Sequence, residues 1–160
     1  VSAFFNNAKD VKAAVQKAID ENADLKKQVE AAVRERVGQL KGRLIETAKE
    51  INGVKVIAQV LSMDVEAGAV KDLAFQVANQ LSENTFLVLG SKHDDKPLLT
   101  VMVSKNLIAS RQLHAGNLVK EAARLIQGGG GGAPHFATAG GKNTAGLDEA
   151  VAKVLELAGF

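Results

Sequence analysis

Asn52-Gly53 divides the chain into two stretches with different hydrophobic periods, and this limits what it can fold into. Before the division there is no Pro, and no Gly before Gly38. Apolar or small residues recur at Phe4, Ala8, Val11, Val15, Ala18, Leu25, Val29 and Val33. Their spacing alternates four and three, the seam of a long helix. Asn22 falls on the seam, where a polar residue fixes register at a cost in stability. The seam continues through Val37, Leu40, Leu44, Ala48 and Ile51 with a drifting period, which disfavours a strict long coiled coil. Gly38 and Gly42 each weaken a helix by ~1 kcal/mol relative to Ala. The pattern predicts one long helix, or a helical hairpin joined near residues 20–24, where Asp20, Glu21, Asn22 and Asp24 cluster. Such a stripe cannot bury itself. It must pack on a second helix, on the rest of the chain or on a partner.

After Asn52-Gly53, a turn signal, the period becomes that of a sheet. Val54 to Leu61 is β-branched and reads as a strand. Val70, Leu73, Ala74, Val77 and Leu81 follow at helical spacing. Thr85 to Gly90 is an apolar run typical of a central strand, and Ser91 to Pro97 is a polar turn. Leu98 to Val103 reads as a strand hairpinned to the previous one. Leu118, Ala122, Leu125 and Ile126 mark a helix ending at Gly128. Phe136 to Ala139 reads as a short strand, and Leu147, Val151, Val154, Leu155 and Ala158 as a closing helix. The expected fold is α/β, layered α+β. A helical arm over 1–52 precedes a small mixed-sheet domain over 53–160 in the order β-α-β-β-α-β-α. With 160 residues, 46% of them hydrophobic, the chain can bury a real core. Without Trp or Tyr, and with six Phe, that core must be aliphatic.

The charges are unevenly placed. Ten basic and eight acidic side chains over 1–52 nearly cancel. Over 100–146, Lys105, Arg111, Lys120, Arg124 and Lys142 stand against Glu121 alone. The same segment holds most of the glycines, including Gly128, Gly129, Gly130, Gly131 and Gly132 in one run and Gly140-Gly141 beside Lys142. Basic side chains beside exposed backbone amides suit an anionic partner, phosphate first. His135 and Phe136 add a hydrogen-bonding edge and a stacking face, although Phe136 also suits a core anchor. The competing reading is a mobile surface loop among solvated charges. The run is neither a P-loop, since Gly-Lys-Ser/Thr is missing, nor a dinucleotide fingerprint, since it follows a helix.

Gly128 to Gly141 resembles the signature of the DHH-associated domain: a Gly run, then Pro, then Ala-x-Ala-Gly-Gly. That family closes the C-terminus of alanyl-tRNA synthetases and accompanies DHH-type phosphoesterases. Three further stretches are similar to the synthetase version: Glu50 to Val56, Val101-x-Val103-Ser104-Lys105, and His114 to Lys120. The resemblance covers about residues 50–155, and residues 1–50 match the synthetase arrangement in kind and position. It departs at Ala133, where such proteins usually carry a basic residue, and at His135, where an acidic one is common.

The resemblance implies a tRNA-binding module that grips the elbow of an alanine-specific tRNA and supports aminoacylation with alanine and editing. On physical grounds the basic, Gly-rich segment is expected to touch phosphates and riboses, through Lys105, His114, Gly116, Lys120, Arg124, Gly128 to Gly132, His135, Gly140, Gly141 and Lys142. His114 opens a helix whose free amides can hold a phosphate, or it caps local backbone. Lys120 and Arg124 lie one turn apart, either tracking phosphates or forming a solvated face. The implied partners are tRNA, the rest of the synthetase chain and a second copy through the arm, in the cytoplasm and without a membrane. No cofactor is expected in this fragment; the full-length enzymes use ATP with Mg, and zinc in the editing domain.

Catalytic readings fail on inventory. The chain has three His, no Cys, no His-Glu-x-x-His and no Gly-x-Ser-x-Gly. His93-Asp94-Asp95 reads as a solvated hairpin tip rather than a metal site. The start at Val-Ser-Ala suggests a piece of a longer polypeptide, and the resemblance implies that it is part of a ligase with its catalytic centres elsewhere. No apolar run is long enough for a transmembrane helix, and the lack of Cys fits a reducing compartment. Two other functions remain open: an oligomerisation module acting through the arm, and the substrate-gripping domain of a DHH-type phosphoesterase.

Overall fold

A computed structural model describes residues 10–160. The seam positions Phe4 and Ala8, and neighbouring Phe5, lie outside these residues. The chain divides into two compact units after Leu40. Helix α1 runs Val11–Glu46 without a break at residues 20–24, so the hairpin alternative does not form. In the first unit the seam residues Leu25, Val29 and Val33 are exposed, as an unpartnered seam must be, and Ile19 beside the seam is exposed with them.

In the second unit the elements are β1 Lys49–Ile51, β2 Val54–Asp64, α2 Ala67–Leu81, β3 Thr85–His93, β4 Lys96–Val103, α3 Lys105–Arg111, α4 Ala115–Ala122, β5 Gly129–Gly132, β6 Phe136–Gly140 and α5 Leu147–Ala158. The described residues form a six-stranded sheet in the order β1-β2-β3-β4-β6-β5. β2 and β3 are parallel, which requires the α2 crossover. The other neighbouring pairs are antiparallel.

The sequence pattern misses three elements. Lys49–Ile51 continues the helical seam in sequence, yet it forms β1 and pairs with β2. Asn52 and Gly53 both take positive φ, 50° and 77°, the geometry of a two-residue hairpin turn. Thus the turn signal closes a hairpin rather than only ending a helix. α3 is a single short helix after Ser104. The Gly run, expected as a loop, is the edge strand β5. The helix expected to reach Ile126 ends at Ala122 and continues as turns.

The core has two layers because side chains alternate across a strand. On one side, Val54, Val56, Phe86, Val88, Leu99, Val101, Ala137 and Ala139 pack with α4 and α5. Gly90 belongs to this side; a Cβ there would lie 3.0 Å from Val60 and 3.3 Å from Val151, so α5 can settle close to β3. On the other side, Val70, Leu73, Ala74 and Val77 of α2 are buried over β3 and β4. The inward positions are almost all aliphatic, and Phe86 packs on Phe160 at 5.0 Å.

Candidate nucleic-acid interface

The glycines of β5 divide by role. β5 pairs with β6 in the register Gly129↔Gly140, Gly130↔Ala139, Gly131↔Thr138 and Gly132↔Ala137. A Cβ at Gly130 would sit 2.2 Å from the Thr138 carbonyl oxygen, and one at Gly132 would sit 2.5 Å from that of Phe136. Just before the strand, a Cβ at Gly128 would collide with the Gly140 carbonyl. These three let two backbones approach more closely than side chains permit. Gly129 and Gly131 point the other way, and a Cβ at either would meet nothing within 4 Å.

Cross-strand partners share a face. Gly129 and Gly131 therefore lie with Gly140 and Thr138, on the side of Leu98, Thr100 and Met102 of β4. This is the α2 side. α2 covers β3 and β4, but the β6–β5 edge extends past it, and β5 is exposed throughout. Phe75 of α2 stacks on Phe136 with ring centroids 5.1 Å apart, and the Lys71 ammonium lies 5.9 Å from that ring's centroid. The result is a glycine-floored shelf with an aromatic ring and a lysine at one end.

At the other end lies a cavity of about 470 Å³. Its wall combines the start of α2 (Glu66, Ala67), the hairpin (His93, Lys96, Pro97, Leu98) and the turns beside β5 and β6 (Gln127, Gly128, Gly140, Gly141, Lys142). The amides expected to form an anion nest here are engaged inside the fold. Gly141 N–H donates to the Pro97 carbonyl at 3.1 Å, and Lys142 and Asn143 N–H both donate to the Ile126 carbonyl at 2.9 Å. A Cβ at Gly141 would meet that same Ile126 oxygen at 2.1 Å. The anion-attracting groups are therefore side chains, Lys96 and Lys142.

His93 extends this rim. Its Nδ1 is hydrogen-bonded to the Asp64 carboxylate, which also accepts the Asp94 N–H at 3.1 Å. The bond to Asp64 holds the His93 pKa above 6.5 and the Asp64 pKa below 3.8, since each stabilises the other's charged form. Asp94 and Asp95 take positive φ in a two-residue turn, so the expected hairpin tip is present. Ligand atoms of Asp64, His93 and Asp94 lie within 4.8 Å of one another, all on exposed residues.

The remaining expected residues lie off the shelf, except His135, which sits in the turn joining β5 and β6. α4 packs on the Ala137/Ala139 side of the sheet, opposite the shelf. Lys120 is exposed there, and the Arg124 guanidinium sits 3.5 Å from Glu121. His114 precedes α4 and its side chain makes no cap; its Nδ1 is buried without a hydrogen-bond partner. Ala115 N–H donates to the Pro134 carbonyl at 2.9 Å, and a Cβ at Gly116 would lie 2.6 Å from the Gly132 oxygen. The sequence thus folds His114 and Gly116 against the end of the Gly run. Lys105 is exposed at the first position of α3. His135 is exposed, and its carbonyl accepts the Val103 N–H at 2.9 Å. Lys71, Phe75, Lys96 and Leu98 escape a sequence reading because neighbours on other strands bring them to the glycine shelf. Lys96 beside Pro97 at the end of a polar turn is their one local signal.

Residues 53–159 match the DHHA1 domain family. All 160 residues align with the alanine–tRNA ligase of Bacteroides fragilis (strain YCH46) at 58% identity, covering 18% of that protein. The alanine–tRNA ligase of Porphyromonas gingivalis (strain ATCC BAA-308 / W83) is 40% identical over 97% of the chain, again 18% of its own length. The chain thus spans under a fifth of the curated relatives it matches. In fold it is similar to the crystal structure of the C-Ala domain from Aquifex aeolicus alanyl-tRNA synthetase. The TM-score is 0.62 at 24% identity, over 71% of this chain and 99% of that one. With the Gly run, the mixed sheet and the family match in agreement, the chain belongs to the DHHA1 domain family, in the form found in alanine–tRNA ligases.

Proposed function

We propose that this chain is the C-terminal module of an alanine–tRNA ligase and that it binds tRNA at its elbow, holding the substrate for alanylation and editing performed elsewhere in the enzyme. The observation that carries this reading is identity along the whole chain to ligases more than five times its length. The glycine shelf, flanked by Lys71, Lys96 and Lys142, supplies the physical basis. A side-chain-free strand lets a sugar–phosphate backbone come close, and nearby cations attract it without reading sequence. Lys105, His114, Lys120 and Arg124 supply further contacts off the shelf, and His135 supplies one in the turn that joins β5 and β6. The partners are tRNA and the preceding part of the ligase, and the setting is the cytoplasm. Among the described residues no helix is long and apolar enough to cross a membrane.

The test is binding of an alanine tRNA, a corner-disrupted variant and a duplex of equal length, at two salt concentrations. The expected result is a preference for the intact corner that weakens steeply with salt. Equal or absent binding to all three overturns it. A second reading, self-association through the arm, is favoured by the exposed Ile19, Leu25, Val29 and Val33 of α1.

A further inference from the structure

We propose that the cavity between the start of α2, Leu98 and the Gly140–Lys142 turn is a subsite for one unstacked nucleotide of the bound RNA, its base against Leu98 and Pro97 and its phosphate between Lys96 and Lys142. The inference rests on the tRNA-binding reading and specifies what one part of that surface accepts.

Four observations converge on it. The volume, about 470 Å³, falls within the roughly 300–1,000 Å³ of small-ligand sites. The wall pairs apolar Pro97 and Leu98 with two lysines, a combination that suits a flat base attached to a phosphate. Glu66 is the one acidic residue in the lining, and His93 stands at the rim with its charge favoured by Asp64. Glu66 makes no side-chain cap on α2, so the first amides of this 15-residue helix are left without that partner at the cavity edge. Finally, the fold does not require glycine at position 140. A Cβ there would meet only the Pro97 oxygen, at 3.9 Å, and no left-handed φ is involved. Glycine weakens a strand interior and is used where a ligand or another backbone comes close; at position 140, in the cavity wall, the fold itself does not crowd a Cβ. Gly141 and Gly128, also in the wall, are required by the fold and carry no such message.

The experiment compares the wild-type chain with Gly140→Val, which fills the cavity from its floor, and with Lys142→Ala, which leaves its shape intact. Thermal melts check folding, and affinity for alanine tRNA is read at two salt concentrations. Adenosine monophosphate and ribose 5-phosphate are titrated separately, following backbone amide signals of residues 96–98 and 140–142. Neither variant is expected to lower the melting temperature, and each is expected to lose affinity for tRNA by about tenfold, the loss of one packed base or one phosphate contact. Adenosine monophosphate is expected to shift the cavity amides of the wild type and not of Gly140→Val, and ribose 5-phosphate to shift them less. Salt-sensitive tRNA binding that both variants retain at wild-type strength overturns the subsite and leaves the tRNA-binding reading standing. Equal shifts from the two small ligands reduce the site to a phosphate contact and overturn the base-binding proposal. A wild type that binds no tRNA overturns the parent reading itself, and the subsite with it.

Discussion

At the scale of single residues, the glycine run contains two kinds of glycine that composition cannot separate. Gly130→Ala drives a methyl group to 2.2 Å from a backbone oxygen, and that oxygen belongs to a paired strand that cannot swing aside. The expected cost is about 1–3 kcal/mol or more, as for overpacking, and it is read by denaturant unfolding. Gly131→Ala places its methyl group in open space on the same strand. It is expected to be neutral or to stabilise by up to ~1 kcal/mol, because the unfolded chain loses freedom. Equal destabilisation by both would contradict the register described for β5. The His93–Asp64 pair gives a second residue-scale prediction. The His93 pKa is raised, so its contribution to stability is complete below 6.5 and fades as pH rises through the raised value. The Asp64 pKa is lowered, so its contribution is complete above 3.8 and fades as pH falls through the lowered value. The difference in melting temperature between wild type and His93→Gln should therefore be largest between 3.8 and 6.5 and shrink at alkaline pH. Both groups are about half exposed, so the difference is expected to be small and to diminish with salt. A difference that grows with alkaline pH would show that the pair is not formed.

At the scale of elements, α1 and β5 are incomplete in different ways. α1 presents Leu25 and Val29 with more than half of each exposed, and only another surface can remove that area from water. Replacing both with Ser is expected to change the unfolding free energy of the sheet domain by less than about 0.5 kcal/mol. If the arm self-associates, the same change lowers the mass seen in sedimentation while tRNA affinity per chain is kept. An unchanged mass would remove the oligomerisation reading. β5 is the exposed edge of the sheet, a position at which proteins ordinarily place charge or Pro against unwanted pairing. Here four glycines weaken strand pairing instead. Such an edge suits a polar backbone partner better than a docked apolar one.

At the scale of the whole molecule, the sheet separates the basic residues that adjacency in sequence had grouped. Lys96 and Lys142 stand on the α2 side, and Lys120 and Arg124 on the α4 side, with Arg124 already facing Glu121. Replacing Lys96 and Lys142 by Ala is expected to reduce the slope of log affinity against log salt by about 1.4 to 1.8. Replacing Lys120 and Arg124 is expected to change it by less. The reverse order in a salt series would move the RNA to the α4 face.

Much of the architecture follows from local pattern. The alternating seam makes α1, the β-branched and apolar runs make β2, β3 and β4, and the helical spacing around Leu73 and Val151 makes α2 and α5. The order of motifs around the Gly run places the chain in its family, because those residues are neighbours in sequence and their spacing survives in any conformation. Tertiary structure decided the rest. Lys49–Ile51 became a strand because β2 offered it hydrogen bonds across a tight turn, which outweighed a helical pattern. The Gly run became a strand because Ala137 and Ala139 are small enough for its backbone to press against β6. The cavity exists because residues from 66, 93–98, 127–128 and 140–142 converge at one end of the sheet, and no periodicity along the chain encodes that meeting.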